Sequence, residues 1–569
     1  MRAAALLLAC AAACGGASHS PVGETRFHNR EPVWVVNDRQ DVPKKPAEAT
    51  FYKALYHLDG YWHKRIDRRL ALRRPSRAVN VNALDEVPDS TCFTNRIGVR
   101  DMTPEEIASG PNTTGSPEDH RPWTIKSSKV GGITVGFIIK DKRGVKYVLK
   151  FDEAGIPEVE TAADVILQRL MWACGYNVPE DYVVFLKRSD LVLAKGAVIK
   201  DPMGNEKPMT DAFVDQQLAR INVQPDGTIR GLVSQFIPGV PIGGHDRDGV
   251  RPDDPNDKVP HNLMRELRGQ YSIFSWLDQT DAKEDNSLDT WVEDPADKNV
   301  HYVVHYMLDF GKGLGAQPYI NGRRFVSHAY LVDFGDITKS LLTLGLWQRP
   351  WEHRDDPGLV GVGLLDSAPY DPGDWHAYSP SYFPFLDADR FDKFWGAKIL
   401  IRFTREHIEA AVAQARLSDR SAAAYIVQTL IERQRKTARY WFKRVNPLDR
   451  FAVRPDGNGG GGGKGGSWAL CFDDLAVKYN LEDSLVSPTR YAARSFDFAG
   501  RATGWRGRVT AATEGRTCIS GIPPAPGTDA YTIVEVRTSR PGMSALATLV
   551  HIARDPASGA PRVIGLRRL

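Results

Sequence analysis

The fold is decided by a short polar stretch with the sequence Thr280-Asp281-Ala282-Lys283-Glu284-Asp285-Asn286. The stretch directly follows residues 261–277, where apolar side chains recur at the spacing of an amphipathic helix. An aspartate therefore stands just after a helix end, and an asparagine follows it five positions later. Side chains with these oxygen atoms are candidates for chemistry at a hydroxyl group or a cation.

Two further motifs place charged side chains at the ends of strand patterns. The apolar pattern Tyr147-Val148-Leu149-Lys150 ends in a lysine, and Glu160 stands at the start of the helix pattern that follows. The motif Met307-Leu308-Asp309-Phe310-Gly311 ends a second strand pattern, in which alternating side chains share one face with Asp309. Asp309 comes 23 residues after Asn286, which leaves room for a β-hairpin between them.

A glycine-containing hairpin pattern precedes these motifs, with the sequence Lys129-Val130-Gly131-Gly132-Ile133-Thr134-Val135-Gly136. A turn of this kind lets backbone N–H groups approach phosphates closely. Phosphoryl transfer also needs a lysine for the phosphate oxygens, an aspartate for the acceptor hydroxyl, and oxygen ligands for magnesium. The four motifs supply these parts in order along the chain.

The ordered set resembles the protein-kinase-like superfamily. The closest resemblance is to HipA-type bacterial kinases, whose catalytic loop reads like Thr280-Asp281-Ala282 with Asn286 following. The pattern Tyr147 to Lys150, then Glu160, then Gly175-Tyr176-Asn177-Val178-Pro179, looks like the lysine strand and helix of that family. The resemblance covers roughly residues 126–445, although the residue before Thr280 is Gln279, where HipA-type loops usually carry asparagine.

The resemblance implies a bilobed kinase fold, with a β-rich N-lobe, a helical C-lobe and ATP in the cleft near residues 235–239. It implies that Asp281 is the catalytic aspartate, that Lys150 binds the phosphates and that Glu160 pairs with Lys150. It also implies Mg²⁺ ligands and glycines that approach the nucleotide, namely Asn286 and Asp309 for the metal and Gly131, Gly132 and Gly136 for the nucleotide.

A second motif, Leu331-Val332-Asp333-Phe334-Gly335, competes for the metal-binding role. We prefer Asp309 because its distance along the chain from Asn286 is shorter. Asp333 lies 47 residues from Asn286, which would require a long insertion. The sequence leaves both aspartates as candidates.

The chain divides into segments of different composition. We predict an α+β protein in which the kinase-like part carries an irregular N-terminal extension and a small β-rich C-terminal domain. Helices are expected at residues 404–415 and 418–445, opened by the hydroxyls of Thr404 and Ser418. The predicted boundaries are 1–14 (signal peptide), 15–125 (extension), 126–240 (N-lobe), 241–450 (C-lobe), 451–467 (Gly-rich linker or loop) and 468–569 (C-terminal domain).

The N-terminus resembles a bacterial lipoprotein signal peptide. Arg2 precedes a short apolar run, and small residues surround Cys14 as in a lipobox. We prefer Cys14 as the lipidated residue and keep Cys10 as the other choice. This interpretation places the protein outside the cytoplasm, anchored to a bacterial membrane in the periplasm or at the cell surface by acyl chains.

The charge composition of the chain argues against one class of binding partner. Lys plus Arg is 74 and Asp plus Glu is 70, so a formal charge of +4 on 569 residues argues against a dedicated nucleic-acid binder.

Cys471 and Cys518 lie in one C-terminal region and could pair in an oxidising compartment, whereas Cys174 is expected to be a buried thiol. His301 and His305 share a strand face, and we expect a packed or exposed pair there rather than a metal site.

The sequence thus predicts a membrane-anchored lipoprotein that transfers a phosphoryl group from a nucleotide to a hydroxyl on a protein or small molecule. ATP and Mg²⁺ are its expected cofactors. The alternative is a catalytically inactive kinase fold that serves as a binding or assembly scaffold. Geometry separates the two hypotheses. Catalysis requires five side chains to meet around one cleft, those of Lys150, Glu160, Asp281, Asn286 and Asp309.

Overall fold

The computed structural model describes residues 22–70, 76–130, 134–201, 205–320, 322–456, 466–481, 489–512, 515–541 and 546–569. Gly131, Gly132, Cys10 and Cys14 lie outside these residues, as do the predicted signal peptide and most of the Gly-rich segment. No helix in the described part of the chain is both long enough and apolar enough to cross a bilayer.

The chain is a mixed α+β protein with two compact units. The larger unit comprises residues 33–82 and 86–445. The smaller unit comprises residues 446–569 together with residues 83–85 and the described residues up to Pro32. The residues of the predicted N-terminal extension are therefore divided between the two units.

A seven-stranded sheet forms one part of the larger unit, in the order β4-β7-β3-β2-β1-β5-β6. Strands β1 and β5 are parallel, and the other neighbours are antiparallel. The strands are β1 (Trp123–Ser128), β2 (Gly136–Lys140), β3 (Lys146–Lys150), β4 (Asp181–Leu186), β5 (Leu191–Lys200), β6 (Glu206–Pro208) and β7 (Ile229–Gln235).

Alternation along β2 and β3 fixes the direction of Lys150. Phe137 and Ile139 on β2, and Tyr147 and Leu149 on β3, are fully buried in one apolar cluster. Successive side chains of a strand point to opposite faces. Lys150 therefore lies on the face away from this cluster.

Helices make up most of the rest of the larger unit. They are α1 (Lys53–Leu58), α2 (Lys64–Leu70), α3 (Pro104–Ser109), α4 (Val159–Cys174), α5 (Asp211–Leu218), α6 (Arg265–Leu277), α7 (Ala316–Ile320), α8 (Phe334–Leu342), α9 (Phe383–Asp387), α10 (Arg390–Leu400), α11 (Arg405–Ala413) and α12 (Arg420–Phe442).

Helix α6 is buried along its whole length. Two glycines let it approach α10, because a Cβ on Gly396 would lie 2.3 Å from the carbonyl oxygen of Gly269. The helix ends at Asp278, which adopts the left-handed conformation with φ of 52°. Asp278 is held by Arg433 at 3.2 Å and by the indole N–H of Trp375 at 3.0 Å. This end directs residues 279–286 out of the helix.

A β-hairpin follows this loop, as the spacing between Asn286 and Asp309 predicts. Strands β9 (Ser287–Glu293) and β10 (His301–Met307) pair antiparallel, and the short β8 (Val240–Pro241) joins β9. The register places His305 opposite Asp289. The hairpin thus returns the chain to the loop and delivers Asp309 just beyond the end of β10.

Several predicted elements agree with the structure to within a few residues. Glu160 to Cys174 is helical, and Thr404 caps α11 by accepting from the N–H of His407. Ser418 was expected to cap α12, but the cap is Asp419, which accepts from the N–H of Ser421 at 2.7 Å. The carboxylate one residue later competes successfully because Asp is at least as good an N-cap as Ser.

The smaller unit is β-rich, with one short helix among its described residues, α13 (Leu475–Lys478). Its sheets have the orders β11-β12-β15 and β14-β13-β16-β17-β18. The strands are β11 (Leu448–Pro455), β12 (Trp468–Asp474), β13 (Arg490–Phe496), β14 (Ala502–Thr510), β15 (Arg516–Ile522), β16 (Thr532–Ser539), β17 (Leu546–Arg554) and β18 (Pro561–Arg568).

Two sequence predictions concern this unit, namely a linker that begins at residue 451 and a possible pairing of Cys471 with Cys518. The linker predicted from residue 451 is wrong at its start, since Leu448–Pro455 is a strand paired with β12. Its apolar residues Leu448, Phe451 and Val453 pack with the core of the unit and so hold it in the sheet. A disulfide joins Cys471 on β12 to Cys518, its register partner on β15.

Candidate functional site

Lys150 connects the sheet to the rest of the site. Its Nζ lies 2.8 Å from Asp309 Oδ1 and 3.5 Å from Asp164 Oδ2, on helix α4. Burial alone would lower the pKa of Lys150, but Asp309 and Asp164 outweigh it and raise that pKa above its usual range. We call Lys150, Asp164 and Asp309 the lysine–carboxylate cluster.

Asp309 reaches Lys150 through an unusual backbone conformation. Its φ is 59°, in the left-handed region that few residues other than glycine adopt, although aspartate tolerates it better than most. Its side chain is 51% exposed, so it can meet a ligand from solvent. The Lys150 ammonium holds the pKa of Asp309 well below its usual range.

Asp164 is the carboxylate on α4 that pairs with Lys150, and the predicted pairing of Glu160 with Lys150 is wrong. Positions 160 and 164 are one helical turn apart and share a face, so the sequence spacing could not distinguish them. Asp164 Oδ1 also accepts from the N–H of Phe310 at 2.9 Å. Burial and then Asp309 raise the pKa of Asp164, although Lys150 opposes the shift.

Glu160 instead pairs with Lys312, just after the Asp309-Phe310-Gly311 motif. One oxygen of Glu160, Oε2, is buried and has no hydrogen-bond partner among the described residues. Burial raises the pKa of Glu160, and Lys312 offsets part of that effect. Helix α4 thus makes two ion pairs. Asp164 pairs with Lys150 on β3, and Glu160 pairs with Lys312 just after the Asp309 motif.

Asp281 and Asn286 are in direct contact within the loop after α6. The Asn286 side-chain amide donates to the Asp281 carbonyl at 2.7 Å and to its Oδ2 at 3.1 Å. Lys283 Nζ also lies 2.9 Å from Asp281 Oδ2. Asn286 is 6% exposed, so the loop is held from within.

The same loop is attached to the Asp309 segment. The N–H of Leu308 donates to the Asn286 carbonyl at 2.9 Å, and the Gln279 amide donates to the Asp309 carbonyl at 3.4 Å. The resemblance leads one to expect asparagine at position 279. The glutamine found there bonds to the backbone carbonyl of Asp309 and so helps to hold Asp309 in place. The structure brings Lys150, Asp281, Asn286 and Asp309 into one region.

The glycine hairpin is described only in part. Gly136 lies so close to β3 that a Cβ there would sit 2.6 Å from the carbonyl oxygen of Leu149. Glycine at this position serves strand packing. Lys129 Nζ donates to the hydroxyl of Thr134 at 2.8 Å, while burial and then Lys150 lower the pKa of Lys129.

Asp333 has a different role. It is the N-cap of α8, where its Oδ1 accepts from the N–H groups of Gly335 at 2.9 Å and Asp336 at 3.1 Å. A capping carboxylate satisfies helix donors that have no partner in the helix. Of the two competing aspartates, Asp309 is the one that the structure joins to Lys150.

Three side chains of the site were not assigned from sequence: Asp164, Lys283 and Lys312. Asp164 could have been suggested by its position one turn beyond Glu160. Lys283 and Lys312 lie inside or beside the quoted motifs, but a lysine among polar residues usually indicates only a solvated loop. The site thus contains four lysines, Lys129, Lys150, Lys283 and Lys312, among four carboxylates, those of Glu160, Asp164, Asp281 and Asp309.

A cavity of about 40 Å³ lies beside the loop. Asp281, Asn286 and Phe310 line one part of it, and Cys92 and His305 line another. Such a volume holds a water molecule or an ion, since one water needs roughly 10–15 Å³ on this measure.

No family model, curated protein or solved structure matches this chain. The fold established for it is a mixed α+β architecture in two units.

Proposed function

We propose that the larger unit is a HipA-like kinase domain with a β-rich N-lobe and a helical C-lobe. It would transfer a phosphoryl group from a nucleotide to a hydroxyl on a protein or small molecule. The observation that carries the proposal is the 2.8 Å ion pair between Lys150 on the sheet and Asp309 after the hairpin. The Asp281–Asn286 loop is hydrogen-bonded to the same segment.

Lys150 is the residue that would neutralise the phosphate oxygens. Its ammonium would exchange Asp309 for these oxygens, while Asp164 keeps it oriented from α4. Lys129 and Lys283 add positive charge around Asp309, and Lys312 pairs with Glu160 on the same helix as Asp164. Catalysis of phosphoryl transfer rests mainly on positioning and on charge stabilisation of this kind.

Asp281 is the candidate for the acceptor hydroxyl. Its Oδ2 is already held by Asn286 and Lys283, so the carboxylate has a fixed direction. A fixed carboxylate can accept the hydroxyl proton and orient the attacking oxygen. Lys283 would then lie beside the transferred group and stabilise its negative charge.

Magnesium fits the chemistry of the donors present. Asn286 and Asp309 would hold it, because both offer the oxygen ligands that Mg²⁺ prefers. When bound, the ion supplies positive charge that neutralises the phosphate oxygens.

The test is nucleotide binding by the full-length chain, followed as a shift in melting temperature with ATP, with and without magnesium. We expect a rise of a few degrees that requires magnesium. Asp309→Asn should abolish the rise. Asp333→Asn is the matched control, since it changes the other Asp-Phe-Gly motif, retains a good helix cap and should leave the rise intact. No rise at millimolar ATP in the unaltered chain would contradict the proposal.

A binding scaffold is the second candidate, because Lys150 is already paired with Asp309 and Asp164 and must release a partner before it can meet a phosphate. Asp281→Asn distinguishes the candidates. In a kinase this variant should keep the magnesium-dependent rise but lose ADP formation, whereas a scaffold makes no ADP in either form.

We also propose that the protein is a lipoprotein outside the cytoplasm. The disulfide between Cys471 and Cys518 suits an oxidising compartment. Metabolic labelling with a fatty-acid analogue tests the anchor. Cys14→Ala should remove the label and Cys10→Ala should not; the opposite result would move the anchor to Cys10.

A further inference from the structure

Three side chains from distant parts of the larger unit converge beside the hairpin: Cys92, His245 and His305. One ligand atom from each lies within 4.8 Å of the corresponding atoms of the other two. The residues are separated by 153 and 60 positions, so no sequence motif joins them. We call them the histidine–cysteine cluster. This cluster shares no residue with those proposed for phosphoryl transfer, although Asp281 and Asn286 line the same cavity.

His245 is the residue of the cluster that is buried without hydrogen-bond partners for its ring. It is 7% exposed, yet neither ring nitrogen makes a hydrogen bond to any residue that the structure describes. Its Nδ1 lies 3.5 Å from Asp289 Oδ1, too far for a good hydrogen bond. A buried imidazole with two unsatisfied nitrogens is costly, and a bound cation would satisfy one of them.

The backbone around His245 is fixed by the neighbouring turn. Its N–H donates to the hydroxyl of Ser287 at 2.8 Å, and that hydroxyl donates to the Glu284 carbonyl at 2.6 Å. A Cβ on Gly244 would lie 2.5 Å from the same carbonyl, so glycine is required beside His245. The imidazole is therefore presented by a rigid segment.

His305 is oriented by a carboxylate behind it. Its Nδ1 lies 2.7 Å from Asp289 Oδ1, across the β9–β10 register, which leaves Nε2 for a ligand. The other oxygen of Asp289 is held by Arg251 at 3.0 Å. A histidine that donates its second N–H to a carboxylate is the usual arrangement around metal-binding imidazoles.

Cys92 completes the set from a tight turn. Its N–H donates to the hydroxyl of Ser90 at 3.1 Å, and the N–H of Phe93 donates to the same hydroxyl at 3.1 Å. Within the same turn, Thr91 is fixed by Asp38, which accepts from its N–H and its hydroxyl. The thiol thus comes from a braced segment and lines the same cavity as the two histidines.

We propose that Cys92, His245 and His305 bind one zinc ion. Two imidazoles and a thiolate suit zinc and other borderline-soft cations far better than magnesium. In a tetrahedral zinc site the ligand atoms lie roughly 3.3–3.6 Å apart. The ligand atoms of the cluster lie within 4.8 Å of one another, so each pair would approach by about 1.5 Å at most on binding. All three residues line the cavity of about 40 Å³, which has room for a water molecule as the fourth ligand.

The metal content of the full-length, untagged chain tests this proposal. After equilibration with zinc and gel filtration, we expect about one zinc per chain by elemental analysis. Cys92→Ser and His245→Gln should each lose most of it. Two matched controls should retain it: Cys174→Ser, which alters a buried thiol elsewhere, and His301→Gln, which alters a histidine stacked on Trp291. Unaltered zinc content in Cys92→Ser would overturn the proposal, as would a chain that binds none.

A second measurement guards against variants that do not fold. In a chain with Cys10→Ala and Cys14→Ala, the free thiols are Cys92 and Cys174. Cobalt substituted for zinc should then show a sulfur-to-cobalt charge-transfer band, since a thiolate ligand produces one. Bound cobalt without this band would contradict ligation by Cys92 in a chain whose cluster is intact.

Discussion

The lysine–carboxylate cluster and the histidine–cysteine cluster lie in the same unit, and they satisfy their polar groups in opposite ways. In the first, Lys150 balances Asp309 and Asp164 directly, and one carboxylate is half exposed. In the second, His245 is buried with both ring nitrogens unpartnered among the described residues. The first arrangement is complete without a ligand and must exchange partners to bind one. The second is incomplete until a ligand arrives.

Among the substitutions that test this comparison, Lys150→Met should lower the stability of the protein most. Removing the cation leaves two neighbouring carboxylates, one of them buried, without the ammonium group that contacts both. Breaking a buried ion pair costs about 3–5 kcal/mol, and we expect about 2–3 kcal/mol here because Asp309 is half exposed. The free energy of unfolding in urea measures the loss.

The double variant Lys150→Met/Asp164→Asn is the control for Lys150→Met. It removes the buried carboxylate as well and should recover part of the lost stability. Lys129→Met removes a lysine whose side chain bonds to Thr134 and should cost less. If Lys150→Met were no less stable than Lys129→Met, the cluster would not depend on its charge balance.

Asp289→Asn tests the other side of the comparison. This residue touches His305 and Arg251 but is not one of the proposed metal ligands. Loss of the carboxylate behind a metal-binding histidine typically weakens metal affinity about 10- to 100-fold. Competition with a zinc chelator measures the change. Asp294→Asn, on the exposed turn of the same hairpin, should have no effect; equal affinities in the two variants would remove Asp289 from the site.

Asp164→Asn and Glu160→Gln sharpen the assignment within the lysine–carboxylate cluster. Asp164 touches both Lys150 and the backbone N–H of Phe310, whereas Glu160 pairs with Lys312. We therefore expect about tenfold weaker nucleotide binding in Asp164→Asn, consistent with loss of a charge-assisted contact. Glu160→Gln should weaken it less. Titration calorimetry with ATP and magnesium compares them, and the reverse order would restore Glu160 as the partner of Lys150.

The two clusters also differ in how far the sequence could predict them. Lys150, Asp281 and Asn286 each lie within a few residues of a helix or strand end, so local patterns located them and the hairpin between Asn286 and Asp309. The choice between Glu160 and Asp164 depends on helix rotation, which spacing does not give. Cys92, His245 and His305 come from a turn, a loop and a strand far apart in the chain. Only the fold brings them together, and the sequence predicted a packed or exposed pair for His301 and His305 rather than a metal site.

His551 in the smaller unit separates burial of a histidine from the presence of a metal site. Its Nε2 is also buried without a partner among the described residues, while its Nδ1 lies 2.9 Å from the Tyr531 hydroxyl. It belongs to no His/Cys/Asp/Glu cluster found among those residues. An unpartnered buried nitrogen alone therefore does not define a cation site, and His551→Gln should leave the zinc content unchanged.

His551 should instead make stability depend on pH. Burial, and then Arg26 and Arg567, lower its pKa to about 3 from 6.5. The unfolded chain therefore binds a proton below pH 6.5 that the folded chain does not, so stability rises with pH across this range. Between pH 7 and 5.5 we expect a loss of about 1 kcal/mol. Urea unfolding at both values measures it, with His551→Gln as the comparison. If the free energy of unfolding depended on pH as steeply in His551→Gln as in the unaltered chain, other groups would cause the dependence. His551 would then be protonated or exposed in the folded unit.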